Sequence, residues 1–356
     1  MTTISITEDG YRMPAEWEPH KATILTWPHD DRHWPGLFDR IPAIWARMVK
    51  ELEVGEDVHL IIHDDATEAS AKAEMKKANV QGDRVHLHRI PNNFAWARDN
   101  GPIVVKNAAG ERLFLDWKHN AWGGQWEYEL DDAMPTALAR ELGERSLDVP
   151  MVLEGGSIDV NGQGTLLTTE NCLLNPNRNP GLTKDQIERH LKDHLGVRHI
   201  LWLGEGIAGD DTSGHVDDLA RFVAPSTVVT IINEDPQDPD FAPLQENLRR
   251  LRTMKDQGGH PLTVIPIVQP KPVLVHQTPS KAVHEAGKGF RIPASYANFY
   301  VANECVLLPV WDDPNDGAAV DTLQRCFPNR RIVPIDSRVL TWGFGSFHCV
   351  TQQVPL

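Results

Sequence analysis

Short apolar runs alternate with amphipathic stretches along the whole chain. Runs in which every second residue is apolar predict strands, and runs with an apolar residue every three or four positions predict helices. The predicted strands and hairpins cover residues 21–27, 58–64, 101–106 with 112–117, 151–169, 197–204, 214–233, 262–268, 298–310 and 331–336. The predicted helices cover residues 38–53, 183–196, 241–257 and 318–327.

Two of these elements carry clear local signals. In the helix at 183–196, Thr183 is a capping residue, Gln186 follows three positions later, and Gly196 suits the end. In the stretch 151–169, Asn161-Gly162 lies between apolar residues, which is a strong signal for a hairpin turn. The pattern therefore predicts the type of both elements, the ends of the helix and the turn of the hairpin.

A hairpin, a helix and a further strand recur roughly five times along the chain without similar letters in the copies. Strands alternating with helices would suggest a doubly wound parallel sheet. The frequent hairpins argue against a purely parallel sheet. We therefore expect an α/β fold of repeated units in a circular arrangement, formed by residues 1–356 as one domain.

The composition is that of a globular protein, with 40% hydrophobic and 24% charged residues. The formal net charge of −15 disfavours nucleic acid as a partner and favours a small cation. No apolar stretch approaches the roughly 20 residues of a membrane span, and no secretory signal is visible. With only four cysteines, the chain fits the reducing cytoplasm; a homo-oligomer remains compatible with the sequence.

Acidic residues and one histidine lie where predicted strands begin or end. Asp99 precedes a strand, Glu154 ends an apolar run, and His215 and Asp217 begin the hairpin at 214–233. In an extended strand His215 and Asp217 face the same side. Since α/β folds often place their chemistry at strand ends, the set predicts a functional pocket.

The tail adds a cysteine with unusual neighbours. Cys349 follows His348 directly, and Gly343 and Gly345 precede the pair. Neighbours in a strand point to opposite faces, so His348 should face away from a pocket that Cys349 faces. The glycines would leave space for a flat substrate.

The other three cysteines are expected to be small hydrophobic core residues. Cys172 and Cys305 lie in strand-like runs, and Cys326 lies in a helix-like run.

Two other functions compete at the level of sequence. Gly204, Gly206 and Gly209 match a dinucleotide-binding pattern, but acidic residues and a strand pattern follow, so we reject it. A divalent metal is the more serious alternative, and its ligands would be His215, Asp217, Asp99 and His348. Carboxylates without a metal suit a planar guanidinium, which a cysteine nucleophile could attack.

Several segments resemble the agmatine deiminase and bacterial-type peptidylarginine deiminase family in order and spacing. They are WARDNGP (96–102), LEGGSIDVNGQGTLLTTENCLLNPNRNP (153–180), GHVDDLARFV (214–223), PASYANFYVANECVLLPVWDDPNDGAA (293–319), FHCVTQQVP (347–355) and the opening MPAEWEPHKATILTWPHD (13–30). The resemblance implies the pentein fold of the guanidino-group-modifying superfamily, in which five ββαβ-type modules surround a pseudo-fivefold axis. That fold would explain the recurrence.

Carried over onto the matching positions, the resemblance implies that Cys349 is the nucleophile and His215 the general acid and base. Glu154 would orient His215, and Asp99 and Asp217 would bind the guanidinium. No metal or organic cofactor would be needed.

Trp96, three residues before Asp99, and Asp211, four before His215, match positions that line the substrate pocket. The chain departs from the family in one place, because Phe344 interrupts the usual run of glycines. Phe344 would either narrow the pocket or need an unusual backbone angle.

The resemblance implies hydrolysis of agmatine to N-carbamoylputrescine and ammonia, in polyamine metabolism, through a covalent amidino-cysteine intermediate. The peptidylarginine enzymes of this type carry a secretion signal and extra C-terminal domains. Neither is expected in this chain, which favours agmatine as the substrate. Peptidylarginine or free arginine deimination and amidino transfer remain alternatives, as do a metal-dependent hydrolase using His215 and Asp217 and a non-catalytic guanidine-binding protein.

Overall fold

The computed structural model describes residues 6, 8–275 and 290–356. The strands are β1 (His20–Thr26), β2 (Asp57–Ile62), β3 (Val85–Arg89), β4 (Ile103–Lys106), β5 (Arg112–Lys118), β6 (Arg145–Val152), β7 (Ile158–Val160), β8 (Thr165–Thr169), β9 (His199–Leu203), β10 (Ala220–Ala224), β11 (Thr227–Ile232), β12 (Thr263–Val268), β13 (Val273–Val275), β14 (Phe290–Ile292), β15 (Tyr300–Val301), β16 (Cys305–Val310), β17 (Arg331–Asp336) and β18 (Thr351–Pro355).

The helices are α1 (Ile41–Leu52), α2 (Asp65–Lys77), α3 (Ala97–Asn100), α4 (Ala121–Gly124), α5 (Glu129–Leu142), α6 (Glu170–Leu173), α7 (Lys184–Leu195), α8 (Phe241–Thr253) and α9 (Asp316–Cys326). Single 3₁₀ turns cover Phe38–Arg40, Gly155–Ser157, Val216–Asp218 and Leu340–Gly343.

Five sheets repeat one topology. Their strand orders are β18-β1-β2-β3, β4-β5-β6, β7-β8-β9, β10-β11-β12 and β15-β16-β17. In each sheet the first two strands are antiparallel, and the third is parallel to the second after a helical crossover. The crossover helices are α1, α5, α7, α8 and α9. The fold is thus the expected α/β propeller of five ββαβ-type units.

The two ends of the chain complete one unit together. Strand β18 pairs antiparallel with β1, so that His20 faces Pro355 and Leu25 faces Thr351. The last strand therefore closes the ring of units. Because β18 begins at Thr351, the residues just before it, Cys349 included, lie in a turn and not in the strand.

Local sequence explains the best-predicted element. The Thr183 side chain accepts a hydrogen bond from the Gln186 N–H, and the Gln186 side chain accepts one from the Thr183 N–H. Gly196 ends α7 in the left-handed conformation. Ile187, Leu191 and Leu195 are the buried residues of α7, at the helical spacing that the sequence showed.

Three local predictions were wrong. Residues 214–219 do not extend the hairpin, because Val216–Asp218 forms a 3₁₀ turn before β10 begins. Cys172 lies in the short helix α6, not in a strand, although it is buried as expected. Met151 belongs to β6 of the preceding unit, so the hairpin predicted for 151–169 begins only at Ile158.

Apolar side chains from adjacent units pack into the cores between the sheets and their helices. Within the described ranges, no helix has the length and apolar character needed to cross a membrane. Among the residues that the structure describes, the predicted site residues Asp99, Glu154, His215 and Asp217 belong to the buried polar side chains.

Candidate active site

Cys349 lies in the wall of a cavity whose unfilled space, including the solvent at its mouth, is about 370 Å³. The residues that line it are His33, Trp96, Asp99, Trp122, Trp126, Asp211, Thr212, Gly343, Phe344 and Cys349. Aromatic rings and carboxylates dominate this set. Among the lining residues that the structure describes, none is lysine or arginine.

Cys349 is held in its turn by the side chain of Asn298. The side-chain nitrogen Nδ2 of Asn298 lies 3.0 Å from Cys349 Sγ. The side-chain oxygen Oδ1 of Asn298 accepts hydrogen bonds from the backbone N–H groups of His348 and Cys349 at 3.1 and 3.3 Å. The thiol also lies 3.7 Å from Oδ2 of Asp217. The side chain of Asn298 therefore fixes the turn and donates to the sulfur at once.

His215 lies between two carboxylates. Its Nδ1 is 3.8 Å from Asp99 Oδ1, and its Nε2 is 4.0 Å from Glu154 Oε2. Burial lowers the pKa of His215, but Asp99, Cys172 and Glu154 more than offset that effect and hold the pKa well above its ordinary value. The buried imidazole therefore favours its protonated form.

Glu154 is itself anchored by an arginine. The Arg178 Nε donates to Glu154 Oε1 at 2.6 Å, and its NH2 group donates to the backbone oxygen of Thr212 at 2.7 Å. Burial raises the pKa of Glu154, whereas Arg178 and His215 lower it, and the result lies below the ordinary value. Glu154 thus stays ionised beside His215.

The glycine at 156 makes the convergence of these groups possible. A Cβ there would lie 2.6 Å from His215 Nδ1 and 2.9 Å from both Asp217 Oδ2 and Asp99 Oδ1. Real Cβ contacts under 3.0 Å essentially never occur, so only glycine fits. The second glycine of "LEGGS" is therefore part of the site's geometry.

Asp99 is held by hydrogen bonds from two donors. Trp122 Nε1 donates to Oδ2 at 2.9 Å, and the Gly156 N–H donates to Oδ1 at 3.1 Å. Burial is the main cause that raises the pKa of Asp99 to about 6; His215 lowers it, while Asp217 and Glu154 raise it. Asp99 is consequently poised between its two protonation states close to neutral pH.

Asp217 is backed by His348. His348 Nδ1 lies 2.6 Å from Asp217 Oδ2, and its Nε2 lies 2.8 Å from Glu16 Oε2. Burial raises the pKa of Asp217, but the hydrogen bond from His348 lowers it below the ordinary value. His348 does not line the cavity, as predicted, but the stated reason was wrong, because residues 346–350 form a turn and not a strand.

The protonation of Cys349 depends on the charges around its sulfur. A cationic substrate or the His215 imidazolium would lower the pKa of the thiol. In the structure burial, followed by Asp217, Asp218 and Asp99, raises the pKa of Cys349 well above its ordinary value. Without a further cation beside the sulfur, Cys349 is a neutral thiol.

The glycine run "GFG" has a different role from the one expected. A Cβ at Gly345 would lie 2.5 Å from the Trp96 ring and 3.1 Å from Cys349 Sγ, and one at Gly343 would lie 2.7 Å from Trp34 Nε1. These glycines make room for tryptophans and for the thiol. Phe344 between them adopts φ 72° and ψ 19°, so it takes up a glycine-like backbone angle.

The predicted metal ligands are only partly brought together. In the part of the chain that the structure describes, the side chains close enough to share an ion are Glu154, Cys172 and His215. Asp217 and His348 contact each other instead, outside that group. The ligand set expected for the metal alternative therefore does not form.

The structure brings all seven predicted site residues into one cluster, and all of them except the half-buried Asp211 are buried. Cys349, Asp99, Trp96 and Asp211 line the cavity, and His215, Glu154 and Asp217 lie against them. Sequence reasoning missed the supporting side chains Asn298, Arg178, Trp122, Cys172 and Glu16. Four of them lie inside the segments that carried the resemblance, but nothing in the pattern singled them out.

Known proteins resemble this chain over almost its whole length. The model of the Porphyromonas-type peptidyl-arginine deiminase family matches residues 12–355. The chain belongs to this family. An agmatine deiminase of Ectopseudomonas mendocina (strain ymp) is 36% identical over 369 residues, which cover 100% of this chain and 99% of that protein.

Solved structures give the same relationship. The agmatine deiminase of Enterococcus faecalis superposes with a TM-score of 0.91 at 33% identity, covering 100% of this chain and 98% of its own. A cysteine-to-serine variant of the C. jejuni agmatine deiminase, solved with substrate bound, superposes with a TM-score of 0.84 at 32% identity, covering 97% and 96%.

Proposed function

We propose that this protein is an agmatine deiminase, which hydrolyses the guanidinium of agmatine to N-carbamoylputrescine and ammonia. The observation that carries the proposal is the cavity around Cys349, in which a buried thiol, carboxylates and aromatic rings meet. A guanidinium has five N–H donors in a plane, which suits carboxylate acceptors on several sides. The agmatine deiminases at 33–36% identity support the same reaction.

The choice of agmatine over arginine follows from the charge of the cavity. Asp99 and Asp211 line it, and no arginine or lysine stands among its described lining residues. The α-carboxylate of arginine would find no counter-ion there, whereas the terminal ammonium group of agmatine is compatible with Asp211. Trp122 and Trp126 offer apolar surface to the four-carbon chain.

We assign the binding of the guanidinium to Asp99 and Asp217. Asp217 Oδ1 and Glu154 Oε2 are buried and have no hydrogen-bond partner among the described residues. The substrate's N–H groups would supply such partners. The arriving cation also offsets the three carboxylates that raise the pKa of Cys349, so the thiol releases its proton to solvent as the substrate binds.

The chemistry then proceeds in two halves. Cys349 Sγ attacks the central guanidinium carbon, and the protonated His215 donates its proton to the departing nitrogen, which leaves as ammonia. The amidino group remains on the sulfur. His215, now neutral, takes a proton from water, the hydroxide attacks the same carbon, and the C–S bond breaks to release the ureido product.

Three further assignments belong to the proposal. Glu154 keeps His215 in position and charged, because it lies 4.0 Å from Nε2 and is fixed by Arg178. Residues 1–356 act as one catalytic domain. The cytoplasm is the compartment of the enzyme, since the four cysteines are unpaired and the nucleophile must stay reduced.

The direct test measures ammonia and ureido product from agmatine, arginine and a peptidyl-arginine in parallel. We expect turnover of agmatine at least ten times more efficient than that of the other two, unchanged by EDTA and abolished by iodoacetamide. Comparable turnover of peptidyl-arginine would overturn the substrate assignment. Loss of activity with EDTA and its return with a divalent metal would favour the metallohydrolase.

A further inference from the structure

Strand β14 lies outside the five repeated units, in the two-stranded ribbon that it forms with β13. It supports the loop that carries Asp211. A Cβ at Gly209 of that loop would lie 2.0 Å from the backbone oxygen of Arg291, so the loop packs directly on the strand. The Arg291 side chain binds Asp240 Oδ2 at 2.7 Å, and Asp240 Oδ1 accepts the Ala208 N–H at 2.7 Å.

The same strand also supports the loop that precedes Cys349. Phe344 is 4% exposed and forms one apolar cluster with Ile292 of β14, which is 1% exposed. The half-buried side chains of Phe290 and Trp342 pack against this pair. The side chain of Phe344 is thus packed against the apolar side chains of the β13–β14 ribbon.

The backbone of Phe344 has a positive φ, which a residue other than glycine adopts only when its surroundings hold it there. The left-handed conformation at φ 72° is unfavourable for a residue with a Cβ. A glycine would adopt it freely, yet the chain carries a phenylalanine there. Strain of this kind persists where the surrounding structure holds it, often at ligand sites. The apolar contact with Ile292 supplies the physical reason.

Phe344 and Asp211 line one cavity, and β14 supports the loops of both. We propose that Phe344, seated on Ile292, is a specificity-determining residue that fixes the width of the pocket for an unbranched alkyl guanidine. A guanidine that carries a carboxylate or a peptide group beside the chain is excluded by this wall. The inference rests on the proposed function, since it explains which guanidine the site accepts.

The test compares kcat/KM for agmatine and for arginine in the variants Phe344→Gly, Phe344→Ala and Ile292→Ala. Phe344→Gly suits the left-handed backbone, so its fold is protected, while Phe344→Ala removes the ring and keeps the strained angle. We expect the agmatine-to-arginine ratio to fall at least tenfold in all three, mainly because kcat/KM for arginine rises once the excluding wall is removed. The double variant Phe344→Ala/Ile292→Ala should be no worse than either single one, because both break the same contact.

The matched control is Leu274→Ala, on the neighbouring strand β13, where the side chain is 60% exposed. Its ratio should match that of the unaltered protein. The inference would be overturned if the agmatine-to-arginine ratio of Phe344→Gly stayed within twofold of that of the unaltered protein. Strictly additive changes of this ratio in the double variant would overturn it as well. If the unaltered protein releases no ammonia from agmatine, the proposed function fails instead, and the two failures are thereby distinguished.

Discussion

Around the Cys349 thiol, buried carboxylates outnumber buried cations. None of these carboxylates is more than 5% exposed; they are Asp99, Glu154, Asp217 and Asp218. Burial, together with the negative charge of Asp217, raises the pKa of Asp218 well above its ordinary value. Such an arrangement opposes the charged forms of its own groups and favours a cationic ligand. The residues that disfavour a thiolate in the empty site are thus the ones that a guanidinium would neutralise.

Asp99 provides a thermodynamic test of this charge excess. Its pKa of about 6 in the folded protein exceeds the ordinary 3.8, so ionised Asp99 destabilises the fold, increasingly as pH rises from about 4 to about 6. We expect the free energy of unfolding of Asp99→Asn, measured relative to that of the unaltered protein, to be about 1 kcal/mol higher at pH 7.5 than at pH 5. Denaturant unfolding at both pH values measures it, and a pH-independent difference would contradict the assignment.

The same group predicts how activity depends on pH. Below about pH 6 Asp99 becomes protonated and loses the charge that binds the guanidinium. We expect kcat/KM for agmatine to fall about tenfold per pH unit below that point, since the substrate itself does not titrate there. A steady-state profile from pH 5 to pH 8 checks this. A flat profile between pH 5 and pH 7 would show that Asp99 need not be ionised.

Residue types alone indicated Cys349, His215 and the carboxylates, because thiols, imidazoles and buried acids have few structural uses at strand ends. Asn298 and Arg178 gave no such signal. Asparagine and arginine are common on surfaces, and only the fold shows that their side chains reach Cys349 Sγ and Glu154 Oε1. Long-range partners of this kind are invisible to spacing along the chain.

At the scale of elements, the turns at strand ends decide where the reactive groups lie. Gly155–Ser157 and Val216–Asp218 are single 3₁₀ turns that place Gly156 against His215 and Asp217. The sequence pattern assigned residues 214–219 to an extended strand, because they lead directly into the apolar run that begins at Leu219. The turn at Val216–Asp218 contacts the turn at Gly155–Ser157, and periodicity along the chain does not record such a contact.

Gly156→Ala tests the importance of that contact. Its methyl group would meet His215 Nδ1, Asp217 Oδ2 and Asp99 Oδ1 at 2.9 Å or less. We expect kcat for agmatine to fall by more than about a hundredfold while far-UV circular dichroism is unchanged, since displacement of reactive groups by about 1 Å has effects of this size.

The control is Gly181→Ala, where a Cβ meets nothing within 4 Å and φ is not positive. This variant should retain full activity. Equal activity of Gly156→Ala and Gly181→Ala would show that the close approach at Gly156 does not matter for the reaction.

Elements with a strong apolar period were predicted, and those without one were not. Helix α7 buries a regular apolar stripe and was found, whereas α2 buries only Thr67 and Ala71 and has no such stripe. Helix α5 carries Pro135 in its interior, which ordinarily argues against a helix. The neighbouring strand β3 has no fully buried residue, so alternation is weak there as well.

At the scale of the molecule, the pairing of β18 with β1 positions the turn that bears Cys349. Arg98, next to Asp99, reinforces the closure, since its NH1 group donates to the side-chain oxygens of Gln352 and Gln353 at 2.8 Å each. The recurrence of hairpin, helix and strand predicted this ring. The resemblance to a family supplied its name, because no local pattern specifies how many units close a circle.

Removal of residues 351–356 tests the closure. Loss of the strand would forfeit about 5 kcal/mol of backbone hydrogen bonding and expose β1, so we expect loss of the cooperative thermal transition and of ammonia release. Removal of Leu356 alone, which is 62% exposed, should leave both nearly unchanged. If the protein without residues 351–356 melted at the same temperature as the full-length protein, the role of β18 in closing the ring would be contradicted.

The proposed mechanism requires that Cys349 form a covalent amidino intermediate with agmatine. Intact-mass and peptide mass spectrometry of the enzyme, quenched with acid during turnover of agmatine, detects such an intermediate. We expect an adduct equal in mass to agmatine minus ammonia, located on Cys349 and absent in Cys349→Ser, which should also release no ammonia. Ammonia release by Cys349→Ser at the rate of the unaltered enzyme, with no adduct at any time point, would contradict it.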